Sequence, residues 1–152
     1  MRYFFFLIAF FCCFFSFSQR SFFKAFSTSE GLAQSQVTSI CQDSTGYLWI
    51  GTLGGISRYN GNTFTNYSTD NGLLNNRVNS IKWINAKLYI GHQGGISIME
   101  NNKIQQFPLE KEFNLVNVTD IVSYNGTIVI ATNGEGLFQL KNKQLVKIPL
   151  LY

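Results

Sequence analysis

Charge is scarce in this chain. Asp, Glu, Lys and Arg make up 13% of its 152 residues. The basic residues are scattered rather than clustered, which gives no case for a nucleic-acid surface. Histidine occurs once, as His92, and no second His or Cys stands at metal-ligand spacing, so neither a metal nor a cofactor is expected. Proline occurs twice. Outside the first 20 residues no long window places apolar residues at helical spacing, and without one a helical body is excluded. What remains is 13 glycines and 16% aromatics, the balance of short aromatic and β-branched strands cut by glycine turns.

The three cysteines are Cys12, Cys13 and Cys41. The first two lie in an apolar run, Tyr3 to Phe17, that follows Arg2 and ends in the small residues of Ser16-Phe17-Ser18. That pattern reads as a secretory signal peptide over residues 1–18, cleaved after Ser18. The run is shorter than the roughly 20 apolar residues a membrane span needs. Phe10 and Phe11 before the cysteines argue against a lipoprotein. Cleavage removes Arg2 and leaves 11 basic against 8 acidic residues, a net +3. It also leaves Cys41 alone, so the exported domain has no internal disulfide and stands on packing. Cys41 follows Val37 and Ile40 mid-strand and reads as a small buried apolar residue.

The organising stretch is Gly46-Tyr47-Leu48-Trp49-Ile50-Gly51-Thr52-Leu53-Gly54-Gly55-Ile56: a turn glycine, an apolar strand, a second turn and the start of another strand. It returns as Lys87 to Ile96 and as Thr127 to Leu137, with Ile50, Ile90 and Ile130 in register 40 residues apart. A repeat of this length is one structural unit. The first copy runs Val37–Gln42, an Asp43–Gly46 turn, Tyr47–Thr52, Ile56–Tyr59, an Asn60-Gly61 hairpin and Thr63–Tyr67. In the later copies that hairpin becomes Asn101-Asn102 and Lys141-Asn142, and the Asp–Gly turn becomes Asn85-Ala86 and Asn125-Gly126. Asn tolerates the left-handed backbone such turns need.

Four short strands repeated about every 40 residues predict an all-β fold, a β-propeller of four-stranded antiparallel blades. The blades fall at about 37–67, 78–107 and 118–148, within a domain covering 19–152. Inner strands buried on both sides explain the unbroken apolar runs Leu48-Trp49-Ile50 and Leu88-Tyr89-Ile90, and make Trp49 a core residue rather than a stacking platform.

From Val37 to Gly61, followed by Asn71-Gly72-Leu73-Leu74, the first copy closely resembles the two-component regulator propeller repeat. The second keeps Val78, Ile81, Ile90-Gly91 and Gly94-Gly95-Ile96 but loses the Asp–Gly turn and the Trp. The third keeps Ile121, Ala131-Thr132, Gly134, Gly136 and Leu137. The resemblance spans about Val37 to Pro149 and implies the periplasmic, ligand-sensing region of a hybrid sensor histidine kinase. No kinase region, ATP-binding domain or receiver domain has a counterpart in the chain.

Phe23 and Phe26 stand 41 residues before Phe64 and Tyr67, so Phe22–Ser27 reads as an orphan outer strand. Three blades and one strand fall short of the roughly 4 to 8 blades that close a ring. The expected partners are therefore the rest of the protein's own propeller or another copy of the chain. Membrane contact would come only through the signal segment or parts beyond this sequence.

In a meander, the connections between blades and the second-to-third-strand turns emerge together. That rule groups Asn75, Asn76 and Arg77 with His92 and Gln93, where amides suit a small polyhydroxyl molecule or glycan and Arg77 suits a carboxylate. Catalysis finds little support. Ser44 or Ser57 with His92 makes a triad only by selection from many serines; Asp43 and Asp120 are possible acids, but Asp43 is better explained by its turn. Three classes follow: a non-catalytic ligand-sensing module, an exported propeller for protein–protein contact in secretion or at the cell surface, and an exported propeller enzyme such as a lyase or quinoprotein.

Overall fold

In a computed structural model, residues 23–149 are described; the predicted signal segment and Phe22 lie outside them. Twelve strands form three four-stranded antiparallel sheets, each a simple meander. Blade 1 holds β1 (Val37–Gln42), β2 (Leu48–Thr52), β3 (Gly55–Tyr59) and β4 (Phe64–Tyr67). Blade 2 holds β5 (Val78–Ile84), β6 (Lys87–His92), β7 (Gly95–Glu100) and β8 (Lys103–Pro108). Blade 3 holds β9 (Val118–Tyr124), β10 (Thr127–Thr132), β11 (Gly136–Lys141) and β12 (Gln144–Lys147). The chain is all-β, built of propeller blades.

Turn chemistry sets the strand ends. Asp43 Oδ1 accepts from the Thr45 and Tyr47 amides, while Oδ2 accepts from Trp49 Nε1 at 2.8 Å. This ties the turn to the strand after it. The Asn85-Ala86, Asn101-Asn102 and Asn125-Gly126 turns each place two residues at positive φ, as tight hairpins of this hand require. In two places the turns differ from the sequence expectation. The third blade's outer hairpin turns at Asn142-Lys143, one residue later than expected, because Lys141 pairs with Gln144. Asn60-Gly61 belongs to a four-residue loop, since Tyr59 pairs with Phe64 and Asn60 Oδ1 caps the Asn62 and Thr63 amides.

Two apolar cores lie between the sheets. Trp49, Ile56, Val78, Ile81, Leu88 and Ile90 fill the space between blades 1 and 2, with Cys41 and Trp83 packed at its edge. Ile96, Ile98, Val118, Ile121, Ile130 and Phe138 fill the space between blades 2 and 3. The first strands, β1, β5 and β9, are laced side to side: Thr38 Oγ1 donates to the Val78 carbonyl, and Ser39 Oγ accepts from the Ile81 amide. Asp120 is part of the same lacing, accepting from Ser80 and pairing with Lys82 at 3.0 Å.

The connectors repeat as faithfully as the strands. Ser27 and Ser68 each cap a one-turn 3-10 helix (Thr28–Glu30 and Thr69–Asn71) with a full capping box, and each ends on a left-handed glycine, Gly31 or Gly72. Leu32 and Leu73, which follow, are buried. The third connector departs. Lys111–Phe113 has no side-chain cap, and Phe113 packs edge-on against Phe138. The expected strand at Phe22–Ser27 is not paired: Phe23–Ser27 carries no ladder among the described residues. An outer strand needs an inner neighbour of its own sheet. Here Phe26 instead packs across Tyr59 and Phe64 of blade 1.

Candidate ligand-binding site

The structure brings the connector residues and the second-to-third-strand turns to one end of the blades. Leu53 donates its amide to Gln36, Gly94 to Val116, and Asn133 to Asn117, so each connector is laced to such a turn. Most of the expected binding groups are spent on that lacing. Asn75 Oδ1 accepts from the Arg77 amide at 2.9 Å, and Asn76 Oδ1 from the Thr69 amide at 2.7 Å. Gln93 Nε2 donates to the Leu115 carbonyl. Among these five side chains only Arg77 is exposed.

His92 is fully buried, with Nε2 3.0 Å from Ser97 Oγ and Nδ1 without a hydrogen-bond partner. Burial pushes its pKa down to about 4, opposed by the Arg77 backbone, so the ring is neutral at ordinary pH. No carboxylate orients it, and Ser97 Oγ already accepts from the Leu74 amide. Ser57 is likewise buried, holding the Ala33 amide and Asn66. Among the described residues no group of three His, Cys, Asp or Glu is placed to hold a metal. No helix among them is long and apolar enough to cross a membrane.

The opposite end carries open clefts between blades. Asp43, Thr45, Tyr47, Trp49 and Arg58 of blade 1 face Trp83, Met99 and the Asn101-Asn102 turn of blade 2 around a cleft of about 280 Å³. Cross-strand register sets Arg58 opposite Trp49. The guanidinium lies 4.9 Å from the Tyr47 ring centre and 5.6 Å from that of Trp49. The equivalent cleft between blades 2 and 3 measures about 370 Å³ and is lined by Lys87, Tyr89, Glu100, Lys103 and Phe107, with Leu140 and Lys143 opposite. There Lys87 is paired with Glu100 at 3.0 Å. The sequence reading did not single out Arg58, Tyr47 or Trp83. The signal was present in the hairpin register, which pairs Trp49 with Arg58.

Residues 31–54, the first connector with β1 and β2, match the family model described as two component regulator propeller. Over 45 residues, 30% of this chain, the sequence is 47% identical to a histidine kinase P4 of Formosa agariphila. Only 3% of that protein is covered. Among solved structures, the extracellular domain of a Bacteroides protein assigned as a one component system (B. thetaiotaomicron) superposes with a TM-score of 0.71 at 18% identity, over 83% of this chain and 18% of that one. A virginiamycin B lyase from Staphylococcus aureus superposes with a TM-score of 0.58 at 16% identity, over 76% and 42% of the two chains. Likenesses at these identities establish the fold. The chain is a set of propeller blades, and its first blade carries a two-component regulator propeller repeat.

Proposed function

We propose that this chain is the exported, ligand-sensing propeller portion of a two-component signalling protein and does no chemistry itself. The observation that supports this reading is the regulator-propeller match over 31–54, which coincides with the connector and first two strands of a well-formed blade. The extracellular placement of the one component relative and the signal-like residues 1–18 agree with export. His92 and Ser57, one of the pairings the sequence offers for catalysis, are buried in separate blades. The ligand is a small molecule or glycan, and its signal passes to output parts outside this sequence.

The blade faces support a second property, that further blades pack on both ends. Val78 and Ile81 are buried against blade 1, and Val118 and Ile121 against blade 2, but their counterparts Val37 and Ile40 are 49% and 61% exposed. On the far side Leu137, counterpart of the fully buried Ile56 and Ile96, is 37% exposed. The covering blades come from a longer form of the protein or from a second copy. The contact-module alternative would use these same faces for a different protein.

A thermal-shift screen of the purified protein against oligosaccharides and small acids tests the sensor reading. A ligand that raises the melting temperature in a saturable way is the expected result. Stabilisation by a protein partner alone, with no small ligand found, would favour the contact module.

A further inference from the structure

We propose that the cleft between blades 1 and 2 is a binding site for a ring-bearing monocarboxylate, with Arg58 as its anchor. The proposal deepens the ligand-sensing reading by naming a site and a ligand class, yet binding can be measured whether or not a signal follows.

The argument starts from an unused charge. The Arg58 side chain makes no ion pair and no hydrogen bond among the described residues, although a guanidinium carries five N–H donors. The nearby acid, Asp43, does not supply the missing partner. Its two oxygens already accept from Thr45, Tyr47 and Trp49. Burial raises the Asp43 pKa, but these hydrogen bonds outweigh it, and the net shift is downward. The carboxylate is thus committed to its turn.

Stacking then orients the free group. The guanidinium lies over Tyr47 and Trp49 and lines the cleft with no side-chain partner of its own. A planar fork of this kind suits a carboxylate held by two parallel hydrogen bonds. Trp83 and Met99 form the opposite wall, giving an apolar surface for a ring, while Asn101 and Asn102 offer amides at the mouth. The volume of about 280 Å³ is enough for one substituted ring.

The neighbouring cleft lacks these parts. By register Ile98 replaces Arg58 there and Lys87 replaces Tyr47. The charge that cleft does hold is partly neutralised by the Lys87–Glu100 pair. One site of this kind is therefore expected in the described residues, not two.

Two sources share the chemistry, an aromatic carboxylate and a uronic acid, and the test separates them. Ligand-observed NMR and calorimetric titration would use indole-3-acetate, galacturonate, and the uncharged amide of each. At least one acid is expected to bind, its amide about tenfold to a hundredfold more weakly, as loss of a charge-assisted pair implies. Arg58→Gln should lose the binding, Arg58→Lys should recover part of it, and Lys141→Gln, exposed on blade 3, should leave it unchanged. Trp83→Leu should weaken the ligand while Arg58 remains, which guards against a folding artefact in the first variant. Circular dichroism would confirm that each variant folds. Failure of both acids to bind at millimolar concentration, or equal binding by folded Arg58→Gln, would overturn the site. Binding through Arg58 followed by steady conversion of the ligand to a product would instead overturn the non-catalytic sensor reading and leave the site standing.

Discussion

His92 stands where the other two blades place Thr52 and Thr132, whose hydroxyls donate to the Gly55 and Gly136 carbonyls across the turn. The imidazole fills the same position with more volume and an unpaired Nδ1. Its folded pKa of about 4 lies below the usual 6.5. Between those values the unfolded chain binds a proton that the folded chain does not. Stability is therefore full above about 6.5, declines as pH falls toward about 4, and stops declining from this source below that. The whole effect is on the order of 3 kcal/mol. Urea midpoints measured from pH 7 to pH 4 should fall for the natural protein and stay nearly flat for His92→Thr. Cys41 gives a second check at this scale. Burial, and then the Asp43 carboxylate, push its thiol up to about 11. Half-buried and with little thiolate at pH 8, it should react with a disulfide reagent well below the rate of a free thiol. Reaction at a free-thiol rate would contradict its placement beside Trp83.

At the scale of the strand, two glycines set how closely the blades approach. A Cβ on Gly51 would lie 2.8 Å from Val78 Cγ1, and one on Gly91 would lie 2.7 Å from Val118 Cγ1. Neither position needs an unusual backbone; each is small because the next blade's first strand presses a valine into it. Ala131 holds the equivalent place in blade 3, where no described blade follows. Gly51→Ala should cost about 1–3 kcal/mol in chemical denaturation. Val78→Ala carries its own cost as a buried valine, and the double variant should lose less than the sum of the two single losses. Additive losses would mean that the valine is not the clashing partner.

These elements also mark how much was legible without coordinates. Strand period and glycine spacing identify the meander because Ile50, Ile90 and Ile130 repeat in register. The Asp43 turn follows from local chemistry. The burial of His92 does not, because whether the last residue of β6 meets solvent depends on how its connector packs over the end of blade 2. The use of Asn75 and Asn76 as connector locks is hidden for the same reason, since an amide in a loop has the same composition whether it meets backbone or ligand. Arg58 is hidden too, because a strand residue next to Tyr59 reads as framework. Only the cross-strand pairing with Trp49 puts it over the rings.

For the whole molecule, the bare blade faces and the cleft make different demands. The faces carry Val37 and Ile40 on one side and Val122, Tyr124, Leu137 and Val146 on the other, all exposed. Apolar sheet faces of this kind favour association. In sedimentation velocity the described blades alone should show concentration-dependent growth in size. Ile40→Lys with Leu137→Lys should suppress that growth without unfolding the sheets. A discrete monomer at every concentration would show that the faces tolerate water and need no further blade.

Sensing without chemistry is the central claim, and it predicts what happens to a bound ligand over time. The most direct measurement is NMR of the ligand itself, incubated with the protein for hours. The account predicts saturable binding, with the ligand recovered unchanged at the end. Steady conversion of that ligand to a product, lost when His92 or Ser97 is replaced, would contradict it.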